Sequence, residues 1–193
     1  MSTRLVRYFT IALIVVSLCS CKMITKWSGV CGDSRISASS LLSASDLPAE
    51  WKITGTRNYP TFVQMYNNIC VSMINLKNGA RNRHNWGWII VETYSSSENA
   101  QSSLNTSVAD IDNETCSRTK TLQWVNDYAD EVRMRVCFPH DAKDTGEQTF
   151  MYAARYTNKV IKLSLDFIDN ESALEECYRL AHVIDLNAIT LLK

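Results

Sequence analysis

From residue 131 onward, apolar and polar residues alternate with a period of two, the pattern of strands that bury one face. Lys159–Ile168 shows it best, with Ile161, Leu163, Leu165 and Phe167 on one side. Glu131–Phe138 repeats it, placing Val132, Met134, Val136 and Phe138 opposite Arg133 and Arg135. Phe150–Tyr156 precedes Lys159 across Thr157-Asn158, which predicts a hairpin. Earlier, Trp51–Thr56, Ile69–Leu76 and Trp86–Tyr94 predict three strands, the last rich in aromatic and β-branched residues. Thr121–Val125 predicts one more.

Two stretches switch to helical spacing. Ser95 stands three residues before Glu98, the spacing of a capping box, and predicts a helix over Ser97–Asp112 with Leu104, Val108 and Ile111 along one face. Asp169 or Asn170 can cap a closing helix over Glu171–Leu192, whose stripe includes Leu174, Cys177, Tyr178, Ala181, Ile184 and Ala188. The order is three strands, a helix, four strands and a long helix. Short connections predict an α+β domain: a twisted, mostly antiparallel sheet packed with helices, on one face or both.

The N-terminus follows another logic. Arg4 and Arg7 form a basic stretch, and Phe9–Leu18 an apolar one of ten residues, short of the ~20 that span a bilayer. Leu18-Cys19-Ser20-Cys21 then resembles the bacterial lipobox, with an aliphatic residue at −3, a small one at −1 and the acylated cysteine. Cys21 is the expected acceptor, because Cys19 would place the bulky Leu18 at −1. Residues 1–20 are therefore read as a lipoprotein signal peptide, 21–45 as the acylated (palmitate-bearing) N-terminus and a Ser/Gly-rich tether, and 46–193 as one domain. The expected location is a bacterial cell membrane or outer membrane, on the extracytoplasmic side.

Composition narrows function without naming one. Twenty basic residues oppose twenty acidic ones. Loss of Arg4 and Arg7 leaves eighteen against twenty, so no field draws the protein to nucleic acid. Apolar residues at 46% and charged ones at 21% are the balance of a globular domain.

Two segments resemble a known group. LLSASDLPAEW with IIVETYSSSENA, and YAARYTNKVIKLSLDFIDN with Leu180-Ala181 in the following helix, are similar to the exported sensor-like domains of actinobacterial serine/threonine kinases and of many small lipoproteins. Those domains share a broader fold with the photosystem II extrinsic P protein. The resemblance extends over residues 41–192 and implies an antiparallel sheet between helices, few enzymes and mostly unidentified ligands.

Enzyme and metal motifs are missing. His84, His140 and His182 stand in no HExxH, CxxC or CxxH spacing, and no GxSxG elbow supplies a nucleophile for a His140-Asp141 pair, which reads as turn chemistry. Asp110, Asp112 and Glu114 lack the glycine and distal glutamate of a calcium loop and read as a solvated helix end. No metal, cofactor or catalytic residue is expected. Trp86 and Trp88 share a strand face, as a platform for a sugar, peptide or lipid or as core beneath a helix. The basic Arg81, Arg83 and His84 before them suit a solvated loop or contact with anionic headgroups.

Five cysteines remain after Cys19 and Cys21, and export makes disulfides reasonable. The odd count leaves one thiol over, with Cys31 in the tether as the natural outlier. Cys137–Cys177 with Cys70–Cys116 is one pairing, and Cys70–Cys137 with Cys116–Cys177 the other. The expected protein is a lipid-anchored, non-enzymatic binding or sensor-like domain whose partners are the membrane and an unidentified protein or small ligand. A structural envelope protein that docks another protein is the alternative, and a secreted hydrolase a third reading. A concave pocket lined by Trp86 or Trp88 would favour the first, and a flat apolar patch the second.

Overall fold

The computed structural model describes residues 36–48, 51–59, 68–78, 86–114, 116–123, 128–139, 146–168 and 171–193. The signal segment, Cys21, Cys31, the Arg81–His84 loop and His140-Asp141 lie outside them. The chain divides into two compact units, Met1–Ser34 and Arg35–Lys193, the first wholly outside the described residues.

A short helix α1 (Ala38–Leu41) leads to β1 (Trp51–Tyr59), β2 (Asn68–Asn78) and β3 (Trp86–Tyr94). Helix α2 (Ser97–Glu114) follows, then β4 (Cys116–Leu122), β5 (Glu131–Pro139), β6 (Glu147–Tyr156), β7 (Lys159–Ile168) and α3 (Glu171–Leu192). The strands form one antiparallel sheet in the order β1-β2-β3-β7-β6-β5-β4. Each half is a meander, and the halves meet where β3 pairs with β7, Ile89 opposite Leu163. Helix α2 joins the halves, taking the chain from central β3 to the edge strand β4.

The β7 alternation has the expected consequence. Ile161, Leu163, Leu165 and Phe167 are buried on one face, beneath Cys177, Leu180, Ala181, Ile184 and Ala188 of α3. Each large aliphatic side chain taken from water there contributes about 1.5–3 kcal/mol. Gly87 of β3 fits tightly against this row, since a Cβ there would sit 2.6 Å from Leu165 Cδ2 and 2.9 Å from the Ser164 carbonyl oxygen.

The same cluster takes in Ile36, Ala38, Leu41 and Leu42. The Ala38 N–H donates to Ser72 Oγ at 2.9 Å, and Asn187 Nδ2 donates to the Leu41 carbonyl at 2.9 Å. The packed unit thus begins at Arg35 and not at residue 46, because the end of the Ser-rich stretch carries core residues.

On the opposite face α2 covers a smaller cluster of Tyr94, Ala100, Leu104, Ala153 and Val160. Its cap is Ser96, one residue later than expected: Ser96 Oγ accepts the Asn99 N–H at 3.2 Å, and Ser95 Oγ accepts from Asn99 Nδ2 at 2.8 Å. The hairpin at Thr157-Asn158 forms with Tyr156 opposite Lys159. Thr157 has a φ of 55°, unusual for a β-branched residue. Asp130 Oδ2 steadies that turn, accepting from the Thr157 N–H at 2.6 Å and from Arg155 Nη1 at 2.9 Å.

Three expectations need correction. The fourth strand is Cys116–Leu122, earlier than Thr121–Val125. The disulfide joins Cys116 to Cys137, with Cα atoms 5.5 Å apart. Cys177 is the free, buried thiol, so both expected pairings fail. Cys137 points to the α2 face and Cys177 to the α3 face, and the sheet stands between them. Cys70 is also disulfide-bonded.

Candidate functional site

Edge strand β4 reads Cys-Ser-Arg-Thr-Lys-Thr-Leu, and its pleat sends Arg118, Lys120 and Leu122 to the α3 side of the sheet. The register sets Arg118 opposite Phe138 and Lys120 opposite Val136. The main core ends here, because β4 presents cations where β5, β6 and β7 present apolar side chains. Between these strands and the first turn of α3 lies a cleft of about 490 Å³, lined among others by Arg118, Lys120, Val136, Phe138, Gln148 and Leu174.

The lining has a definite geometry. The Arg118 guanidinium lies over the Phe138 ring, 4.2 Å from its centroid. Gln148 of β6 is only 7% exposed, yet its amide has no hydrogen-bond partner among the described residues. Arg118 and Lys120 likewise have no ion-pair partner among the described residues. Leu174 closes the apolar side from the first turn of α3, where the helix dipole is positive. Behind the β4–β5 wall the Cys116–Cys137 bridge ties the two strands together.

Among the described residues no carboxylate, histidine or thiol lines the cleft. The described lining groups can hold and orient a molecule. Among the described residues no group of three or more His, Cys, Asp or Glu is placed to hold a metal ion.

Trp86 and Trp88 share a face, as their spacing predicts, but it is the face away from the α3 core, and neither lines this cleft. Trp86 is 55% exposed, with the Lys77 ammonium 5.8 Å from its ring centroid. Trp88 is half-buried and pairs in register with Asn75 and Ser164. Sequence reasoning missed Arg118, Lys120, Phe138, Gln148 and Leu174 as a group. Their one shared signal is the alternation of cations along β4, which gains meaning only once β4 is placed beside Phe138.

A second polar group is buried in the core itself. The Tyr156 hydroxyl donates to Asp185 Oδ1, and the Tyr152 hydroxyl lies 3.4 Å from that of Tyr156. Burial pushes both phenols well above their usual range, so they stay neutral donors. These groups serve packing and lie apart from the cleft lining.

Among the described residues no helix is long and apolar enough to cross a membrane. No family model matches the chain, and no curated protein matches it in sequence. In structure it is similar to the extracellular domain of PknH from Mycobacterium tuberculosis, with a TM-score of 0.52 and 10% identity over 77% of this chain and 94% of that one. The likeness is one of fold.

Proposed function

We propose that the chain is a non-enzymatic, sensor-like binding domain on the extracytoplasmic side of a bacterial envelope, anchored by lipid at Cys21, and that its ligand enters the cleft between β4–β6 and α3. The observation that carries the binding role is Gln148. The Gln148 side chain is mostly buried yet makes no hydrogen bond to a described residue, so its amide is available where it lines the cleft. A ligand in the cleft can bond this amide. The fold resemblance supports the sensor-like role, the lipobox supports the anchor, and the Cys116–Cys137 bridge suits an oxidising compartment.

The anchor and the site are tested separately. Cys21→Ala should abolish fatty-acid labelling and membrane retention, and continued labelling would sink the anchor. For the site, the small-molecule fraction of the producing cells' envelope is added to isotope-labelled full chain. Resonances of Gln148 and Leu174 should move, while those of β1 stay. Movement at Trp86 alone would instead favour docking on the β3 face, for which its exposure speaks. No movement anywhere would defeat the binding role.

A further inference from the structure

Taking the cleft as the binding site, we infer that its ligand is a small anion on a compact apolar or aromatic body. The anionic group sits between Arg118, Lys120 and the Gln148 amide, and the apolar body lies against Val136 and Leu174.

Charge gives the first argument. Arg118 and Lys120 are two residues apart on one strand face, so their Cα atoms are separated by about 7 Å. Both serve the same cleft, and among the described residues its lining holds no carboxylate and neither cation is paired. A cationic ligand would be repelled.

Geometry gives the second. The Arg118 guanidinium lies over Phe138, 4.2 Å from the ring centroid, and makes no ion pair among the described residues, so its N–H donors can meet an oxyanion. The same contact covers one face of the ring, the platform that a sugar would need. Gln148 supplies an amide N–H from the β6 side of the cleft, and a hydrogen bond to an anion is stronger than one between neutral groups. The volume of about 490 Å³ falls within the range of sites for small organic ligands and is far larger than an inorganic ion requires.

The test is titration calorimetry on the full chain with four probes: phenyl phosphate, inorganic phosphate, benzyl alcohol and benzylamine. Phenyl phosphate should bind at least about tenfold tighter than any of the others, because only it satisfies both halves of the cleft. Arg118→Gln and Lys120→Gln should each weaken it by about tenfold. Gln148→Glu keeps the side chain's shape and turns a negative charge toward the ligand, so it should weaken binding more than Gln148→Leu does. Circular dichroism and melting of each variant separate lost binding from lost folding. Vesicles containing phosphatidylglycerol distinguish the sources. If they compete through Arg118 and Gln148, the anion belongs to a lipid headgroup; if they do not, it belongs to a free solute.

Benzylamine binding as well as phenyl phosphate would overturn the inference. So would unchanged phenyl phosphate affinity in a folded Gln148→Glu variant. If the envelope fraction moves Gln148 while all four probes fail, the ligand class falls and the binding site stands. If neither binds, both fall.

Discussion

Lys162→Met should reveal how strongly the α2 face depends on one buried ion pair. Lys162 Nζ lies 2.7 Å from Glu92 Oε2, with the two side chains 14% and 13% exposed. The Tyr94 hydroxyl is 2.7 Å from the same carboxylate oxygen, and Ser103 Oγ of α2 is 3.1 Å from it. Methionine keeps the stem of Lys162 and removes its charge, stranding a carboxylate beneath a helix. Breaking a fully buried pair costs about 3–5 kcal/mol. Glu92 retains two hydroxyl partners and some contact with water, so the expected loss is about 2–3 kcal/mol. Replacing both residues should be far milder, because no charge is left unpaired; Glu92→Met with Lys162→Met should recover most of the loss. Urea unfolding of the two single variants and the double variant, with the slope of each transition unchanged, gives the coupling directly. A Lys162→Met loss below about 0.5 kcal/mol, or a double variant as unstable as the two singles summed, would refute the reasoning.

The cysteines allow two further tests. Peptide mapping of unreduced protein should find Cys116 joined to Cys137, with Cys70 in a separate disulfide. A Cys70–Cys116 peptide would contradict the fold, whereas removing the Cys116–Cys137 bridge by paired serines should cost about 3 kcal/mol, the chain-entropy value for a loop of this length. The Cys177 thiol is pushed up to about 12 by burial, so it should resist alkylation until the chain is unfolded. Because that pKa is raised, the folded state keeps a proton that the unfolded state gives up from about pH 8.5. The corresponding stability is complete below that pH and declines as pH rises toward 12, with Tyr152 and Tyr156 acting in the same direction. Cys177→Ala should flatten the decline between pH 8 and 11, and an unchanged slope would count against a buried thiol.

Legibility in the sequence follows burial. Strands β3 and β7 and helix α3 lie at the middle of the sheet or across it, so packing imposes a strict period on their residues. Edge strand β4 pairs on one side only and exposes most of its side chains, and Ser117–Thr121 carries no hydrophobic pattern to find. The neighbouring Leu122-Gln-Trp-Val125 looks more like a strand and drew the expectation there. Segment 36–42 was hidden differently, since serines flank Ile36, Leu41 and Leu42 and disguise four core positions as tether. The cleft shows the same limit. Phe138 and Leu174 read as core from their spacing, and nothing local says that Arg118 lies over one and Gln148 near both. Trp86 and Trp88 drew attention for their residue type, which records neither concavity nor neighbours. A Cys137–Cys177 pairing conflicts with the alternation itself, which sets Cys137 with Arg133 and Arg135, away from the apolar face.

The cleft's location also explains the position of the Cys116–Cys137 bridge. A strand whose side chains are mostly exposed buries little apolar surface, and an edge strand has ladder bonds on one side only. Strand β4 therefore has weak non-covalent reasons to stay in place, as Arg118 and Lys120 must for any ligand to meet a preformed site. The bridge supplies order from the opposite face without spending side-chain positions in the cleft. Polar residues can then occupy the wall that hydrophobic packing would otherwise require. Cys116 begins β4 and Cys137 lies near the end of β5, so the covalent tie sits at the end of the wall that carries Arg118 and Phe138. Reduction should consequently loosen the cleft before it loosens the β3–β7 core, whose order does not depend on this bridge.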